Sequence, residues 1–466
     1  MEAMRKAWRE ENGVDLLRSI TLPSASYQAM WKKTGAEHTL THEDNGGMEL
    51  MNKLNQNIRG GVSCIFQPTG LANNWKVLPP VCEVAPELHE HMRKYGKLPD
   101  DAPVQAAIRY TAWASRHGYD LSEETSWLTY VDANSLYPHA MTQPLPSGLY
   151  TKCELAPTTE DRVRHVRELA HYYTGNTAYF VEVTFTVPER LHDFLDYAPV
   201  ATGTIEPEWL SELTRESVGK IRNEKLYPYL GRQHKVLHHI ALLKLWLELG
   251  IELEDVHYLV EVPQECWMKE YILEIGRKRA ASGDEVMKNI LKLSINSLYG
   301  KCLQDEQKQQ NLTPYTVPDK FAKAACRVGS EFHIVTMEPD AFLALTTVRH
   351  RKGRVLRAPR ALGFTILEYS KAHMLHLHYK VMKANYGDNL RLLMTDTDSL
   401  IYQIKCEHDV LEDFLNMPAY FDLSGSLQRL GNRSEDIIQR VKANKGLLGL
   451  LKPEEGDNVL VEYVGL

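Results

Sequence analysis

"NLRLLMTDTDSLIYQI", residues 389–404, sets two aspartates one residue apart inside a run of leucine, isoleucine, tyrosine and other strand formers. Burying one carboxylate is costly, and crowding two raises at least one pKa unless a cation stands between them. Side chains alternate along a strand, so Asp396 and Asp398 share a face if the strand continues and crown a hairpin tip if it turns between them. Either way the carboxylates are neighbours. By itself D-x-D is a weak signal that an exposed acidic turn produces equally well, so its meaning depends on what the rest of the chain brings to it.

The chain of 466 residues is long enough for two to four domains around sizeable cores. Hydrophobic residues at 43% and charged residues at 25% are ordinary for a soluble globular protein, and no apolar run approaches the roughly 18 residues of a membrane span. The opening "MEAMRKAWREENG" has neither the apolar core of a secretory signal nor the acid-poor character of a transit peptide. An intracellular protein is expected, with the compartment unspecified. Seven scattered cysteines without C-x-x-C fit reduced thiols and argue against a zinc site. A net charge of −7 argues against a protein that coats nucleic acid by bulk charge, yet "VRHRKGRVLRAPR" gathers Arg349, Arg351, Lys352, Arg354, Arg357 and Arg360 without an acidic residue. That run is a candidate phosphate track.

Helical periodicity is expected near 4–19, 234–249, 267–282, 285–303 and 364–384, and strand-like alternation in "SWLTYVD", "AYFVEVTFTVP", "VHYLVEV" and the opening stretch. The two do not alternate regularly enough for a doubly wound parallel sheet. An α+β fold, with helices packed on an antiparallel sheet, is the expectation.

Two further stretches carry chemistry. In "SWLTYVDANSLYPHAM" a strand ends at Asp132 and Ser135 opens a helix with Pro138 in its first turn, which aims Asp132 off a strand end and sets Tyr137 just behind it. In "SGDEVMKNILKLSINSLYGK", Ser282 and Glu285 have the form of a capping box, and Gly283 and Asp284 make a tight turn between two helices. At about 100° per residue, Lys288, Lys292, Asn296 and Tyr299 fall within an arc of roughly 80°, away from Val286, Ile290 and Leu293. One face of that helix is therefore cationic and hydrogen-bonding, suited to a phosphate and a flat ring.

"DANSLYP" (132–138), "KLSINSLYG" (292–300) and "TDTDS" (395–399), in this order, resemble the three polymerase motifs of family B DNA polymerases. The detail is most similar to the protein-primed branch found in certain bacteriophages, adenoviruses, linear organellar plasmids and self-synthesising transposons. "IRGGVSC" (58–64) resembles that branch's Y-x-G-G segment, and "PLPSG" and "APRALGFTILEYSKAHMLHLHY" are also similar to it. The resemblance implies a right-hand palm with helical-hairpin fingers and template-dependent addition of deoxynucleotides in replication of a viral, plasmid or transposon genome. It implies Asp132 and Asp398 as principal ligands of two Mg²⁺ ions, with Mn²⁺ as a substitute, Asp396 assisting and the Ala133 carbonyl completing the shell. Lys292, Asn296, Tyr299, Tyr137, Leu136, Ser135 and Lys288 would contact the nucleotide, with Arg277 and Arg279 as further phosphate contacts. Gly60, Gly61, Arg354, Arg357 and Arg360 would contact DNA. The implied partners are primer-template, deoxynucleoside triphosphates and a terminal protein primer, and no membrane.

The implied domains are an N-terminal segment (1–125), palm with the first motif (126–150), palm with an insertion for the priming protein (151–260), fingers (261–303), a second insertion with the basic run (304–360), and palm with the catalytic hairpin (361–466). Ile58 stands where the family usually has tyrosine, and Met394 where an aromatic often opens the third motif. The 131 residues ahead of Asp132 contain no D-x-E, and the tail "LGLLKPEEGDNVLVEYVGL" resembles the family just upstream of its K-x-Y motif. The expectation is a polymerase core without its proofreading nuclease and thumb. Two other readings compete. A D-x-D glycosyltransferase would use Asp396 and Asp398 but leaves the lysine helix idle, and a non-catalytic remnant that binds DNA or a partner has no need to keep like charges together.

Overall fold

The computed structural model describes residues 2–19, 21–36, 47–204, 208, 210–218, 224–304, 310–326, 330–338, 341–349 and 359–465. The opening stretch folds as a hairpin at the centre of a five-stranded antiparallel sheet. Its strands are β1 (Ser63–Ile65), β2 (Ser126–Ala133), β3 (Leu390–Asp396), β4 (Ser399–Lys405) and β5 (Leu451–Pro453), in spatial order β1-β3-β4-β2-β5. Alternation sorts the side chains of β4: Leu400, Tyr402 and Ile404 enter the large core, while Ile401 packs with Leu128 and Leu393 on the other face.

A second sheet pairs the long strand Glu252–Glu265 with Thr177–Thr186, which pairs in turn with Gln233–His239. The helices that matter for the site are α1 (Leu22–Thr34), α2 (Leu136–Met141), α3 (Lys269–Ala281), α4 (Glu285–Cys302) and α5 (Arg360–His376). α5 is buried on almost every side, and it packs on α2, α4 and both sheets' neighbourhoods. The α+β expectation with antiparallel sheets agrees with this architecture. Among the described residues no helix is long and apolar enough to cross a membrane.

Three local expectations are corrected. The helix expected over 4–19 is Glu2–Asn12, stopped by Gly13 at φ +63° and followed by a short 3₁₀ turn at Leu16–Arg18. The first part of the helix expected over 234–249 is instead the strand Gln233–His239, because "HKVLHH" finds a pairing partner in Thr177–Thr186; the helix is Ile240–Glu248. The cap of α4 is Asp284, whose side chain accepts the Val286 N–H at 2.9 Å, while Ser282 ends α3 and accepts the Asp284 N–H at 3.2 Å. The strands Gln310–Tyr315, Ser330–Glu338 and Ala341–Arg349 form a separate three-stranded sheet.

A buried ionic group ties the sheets together. Glu368 on α5, 0% exposed, accepts from His238 Nδ1 at 3.1 Å, the His239 N–H at 3.2 Å and Lys371 Nζ at 3.0 Å. Arg59, also buried, donates to the Leu237 carbonyl at 2.8 Å and carries the loop leading to Gly60 and Gly61. Burial by itself would raise the Glu368 pKa, but Lys371, His238 and Arg59 outweigh it and hold the carboxyl below its usual range. A depressed carboxyl contributes stability above its unfolded pKa of about 4.3 and loses that contribution as pH falls below it. Glu368→Leu leaves Arg59 and Lys371 uncompensated and should cost about 3–5 kcal/mol. Urea unfolding should show a lowered midpoint at neutral pH and a shallower loss of stability on acidification.

Candidate active site

The tip of the β3–β4 hairpin is the two residues Thr397 and Asp398, because Asp396 pairs with Ser399. Thr397 sits at φ +60°, and the Asp398 N–H donates to the Asp396 carbonyl at 2.7 Å, a tight turn that a β-branched residue adopts only under constraint. The constraint comes from the loop ahead of β1. The Thr397 N–H donates to the Val62 carbonyl at 2.8 Å, and Gly61 lies so close that a Cβ there would fall 2.3 Å from Thr397 Cγ2 and 2.4 Å from its Oγ1. Gly61 therefore braces the tip, whereas a Cβ on Gly60 would meet open space.

The first motif is aligned by register. Asp132 near the end of β2 pairs with Ser399, so Asp132, Ser399, Asp396 and Ser63 form one row across the sheet. The Ala133 N–H donates to the Asp398 carbonyl at 2.7 Å, which joins the first motif directly to the tip. Ser135 then takes φ +50° and starts α2 without a side-chain cap. Asp422, 1% exposed, accepts from the Asn134 side chain at 2.8 Å and the Gly446 N–H at 2.7 Å, which fixes this turn from behind.

Electrostatics show how crowded the site is. Burial, followed by the charges of Asp398 and Glu454, pushes the Asp132 carboxyl up to about 7, against the opposing charges of Lys452 and Lys292. Burial and the Asp396 charge raise Asp398, against its own backbone hydrogen bond and Lys292. The charge of Lys292, on α4, thus acts on a carboxyl near the end of β2 and on another at the hairpin tip. The donor set is carboxylate oxygen without histidine or cysteine, crowded enough that the Lys292 and Lys452 charges do not cancel the upward shift of Asp132, so it suits a hard divalent cation such as Mg²⁺.

Tyr137 on α2 and Tyr299 on α4 stack with ring centroids 4.0 Å apart and planes 17° from parallel. Asn296 is half-buried on the face of α4 that carries Lys292 and Tyr299. Lys288 forms a surface ion pair with Glu285 at 2.6 Å, and Arg277 lies 3.9 Å from Glu270. Leu136 is 2% exposed in the main core, so only its backbone is open to a ligand. Arg360, expected on a phosphate track, is instead 6% exposed and bonded to Asn55 and the Gln304 carbonyl, because as the first residue of α5 it is drawn into the core with that helix. Arg354 and Arg357 lie outside the described residues.

The sequence patterns did not single out Lys452, Glu454, Asp422 or Gly61's contact with Thr397. Lys452 pairs with Asp132 across β5 and β2, and only this long-range register brings its charge to the site.

Residues 119–312 match the family described as DNA polymerase type B, organellar and viral. That stretch contains Asp132, the whole of α2 and α4, and the Tyr137–Tyr299 stack, and so spans the first two motifs but not the third. Among solved structures, Phi29 DNA polymerase complexed with primer-template DNA and incoming nucleotide is 15% identical, with 87% of this chain covering 52% of that one at a TM-score of 0.41. Its orthorhombic crystal form is likewise 15% identical, with 96% of this chain covering 54% of that one at 0.43. The chain spans about half the length of these structures. No curated protein is similar enough to match it.

Proposed function

We propose that the chain carries the nucleotidyl-transfer site of a DNA-directed DNA polymerase that extends a primer by template-directed addition of deoxynucleotides. The supporting observation is that sheet register sets Asp132 beside the tip that carries Asp398, where the Ala133 N–H donates to the Asp398 carbonyl at 2.7 Å, and that the charge of Lys292, on the second helix of a helical hairpin, opposes the upward shift of both carboxyls. The match of residues 119–312 to the type B family points the same way. In this reading the five-stranded sheet is the palm, α3 and α4 are the fingers, and priming by a terminal protein is the mode that the motif detail suggests.

Asp132 and Asp398 would hold a pair of divalent ions, with Asp396 assisting from the exposed side and the Ala133 carbonyl as a further donor. When bound, such a pair supplies activation of the primer 3′-hydroxyl and neutralisation of the leaving pyrophosphate. Lys292 orients the triphosphate by a charged hydrogen bond, and the Ser135–Leu136 backbone lies where α2 begins beneath it. Asn296 and Tyr299 line the nascent base pair. Lys288 joins the triphosphate by giving up its pair with Glu285, an exchange of one exposed partner for another. Gly60, with open space around it, faces the template strand.

A charged hydrogen bond contributes about 1.5–3 kcal/mol, so Lys292→Ala should raise KM for the deoxynucleoside triphosphate roughly 10- to 100-fold while leaving primer-template affinity unchanged. Steady-state primer extension and an equilibrium DNA-binding titration check this, and an unchanged KM contradicts it. Tyr137, held flat against Tyr299, would occupy the space of a ribose 2′-hydroxyl. Tyr137→Val opens that space, and ribonucleotide incorporation relative to deoxynucleotide should rise; unaltered sugar discrimination in competition assays would remove this role.

A further inference from the structure

The opposite end of strand β4 carries a second constellation, about 26 Å along the chain direction from Asp398 at the tip. Cys406 follows the last residue of β4, His408 lies in the next turn, and Asp413 stands on the helix Val410–Leu415. Their ligand atoms all lie within 4.8 Å of one another. Cys406 Sγ is 3.4 Å from each ring nitrogen of His408 and 3.7 Å from Asp413 Oδ2, and His408 Nε2 is 2.7 Å from Asp413 Oδ1.

We propose that Cys406, His408 and Asp413 form a binding site for Zn²⁺, separate from the carboxylate site at the hairpin tip. A tetrahedral zinc ion with bonds of about 2.3 Å to sulfur and about 2.0–2.2 Å to nitrogen and oxygen sets its ligands about 3.4–3.6 Å apart. Sγ–Nε2 at 3.4 Å falls in that range and Sγ–Oδ2 at 3.7 Å just outside it, so Oδ2 is the carboxylate oxygen offered beside the sulfur, and the imidazole, whose two nitrogens are both 3.4 Å from Sγ, turns to aim Nε2 at the ion. The hydrogen bond between Nε2 and Oδ1 at 2.7 Å, made to the other carboxylate oxygen, gives way as its proton is replaced by the ion. Thiolate, imidazole and carboxylate together select zinc over magnesium, and a water fills the fourth position.

The surroundings hold the donors in place. The Cys406 N–H donates to the Thr125 carbonyl at 3.0 Å, and Trp127 Nε1 donates to the Cys406 carbonyl at 3.1 Å, so the cysteine backbone is pinned on both sides. Tyr386 donates its hydroxyl to Asp413 Oδ2 at 2.9 Å, an outer-shell bond of the kind that orients ligating carboxylates. The half-exposed cysteine and exposed histidine leave an entry path. The absence of C-x-x-C hid this site from the sequence, because its ligands follow C-x-H-x₄-D across a strand end and a helix. Bound zinc would staple β4 to that helix.

The test is a Co²⁺ titration of the whole chain, stripped with chelator and kept in excess Mg²⁺ so that the aspartate site is occupied. A thiolate-to-cobalt charge-transfer absorption in the near ultraviolet should saturate at one equivalent and bleach on adding Zn²⁺. Cys406→Ser should abolish the band, and Tyr386→Phe should weaken cobalt affinity about tenfold or more. Circular dichroism confirms that both variants fold. No charge-transfer band in the unmodified chain, or an undiminished band in Cys406→Ser, overturns the proposal.

Discussion

Asp398→Asn should reduce template-directed nucleotide addition by about 10³-fold or more while leaving primer-template binding intact. The substitution keeps the shape of the side chain and the tight turn, since the Asp398 N–H and carbonyl, bonded to Asp396 and Ala133, are backbone groups. What it removes is one of the two half-buried carboxylates on which the Lys292 charge acts. Loss of an ion-binding carboxylate forfeits several kcal/mol of charge stabilisation in the transition state, which is the stated factor in rate. Binding to DNA should hold or tighten slightly, because a negative charge has left a surface that approaches phosphates. Single-turnover extension beside a fluorescence binding titration separates the two effects. Asp396→Asn should lose less, since Asp396 is exposed and Lys292 acts on its neighbours.

Gly61→Ala should lower the rate of nucleotide addition about 100-fold without unfolding the chain. The added Cβ would lie 2.3–2.7 Å from three atoms of Thr397, including its Cβ, so the conflict cannot be relieved by swinging a flexible end away. The tip must move, and a displacement near 1 Å at a reacting site costs about 10²-fold. Thr397 already occupies a left-handed conformation at φ +60°, where glycine is at ease. Gly61→Ala combined with Thr397→Gly should therefore recover much of the lost rate, since the second change removes the colliding side chain. A role for Gly61 in DNA contact alone predicts no such rescue.

Much of the site was legible in local sequence because its chemistry sits on short periodic elements. The alternation around TDTDS implies neighbouring carboxylates on strand-forming sequence, whether the strand runs on or turns, the four-residue spacing from Lys288 through Lys292 to Asn296 implies one helix face, and DANSLYP implies a strand end followed by a helix start. The structure forms each of these elements. What local pattern cannot carry is register between distant segments. Lys452 opposite Asp132, Gly61 against Thr397 and Glu368 beneath Arg59 all depend on which strand or helix lies next to which. The same limit explains Gln233–His239, where pairing with a neighbouring strand overrode a helical pattern, and Arg360, whose charge suggested the surface while α5 carried it inward.

The competing D-x-D glycosyltransferase reading uses Asp396 and Asp398 but assigns no work to Lys292 or to the stacked tyrosines. The type B family match covers both of these features without reaching the D-x-D itself.

The most direct measurement of the central claim is single-nucleotide addition to a primed template by the unmodified chain with Mg²⁺, offered each of the four deoxynucleoside triphosphates in turn. The account predicts addition of the complementary nucleotide, little of the other three, and none by Asp398→Asn. Addition by Asp398→Asn at the rate of the unmodified chain, or no addition by the unmodified chain with Mg²⁺ or Mn²⁺, would contradict it.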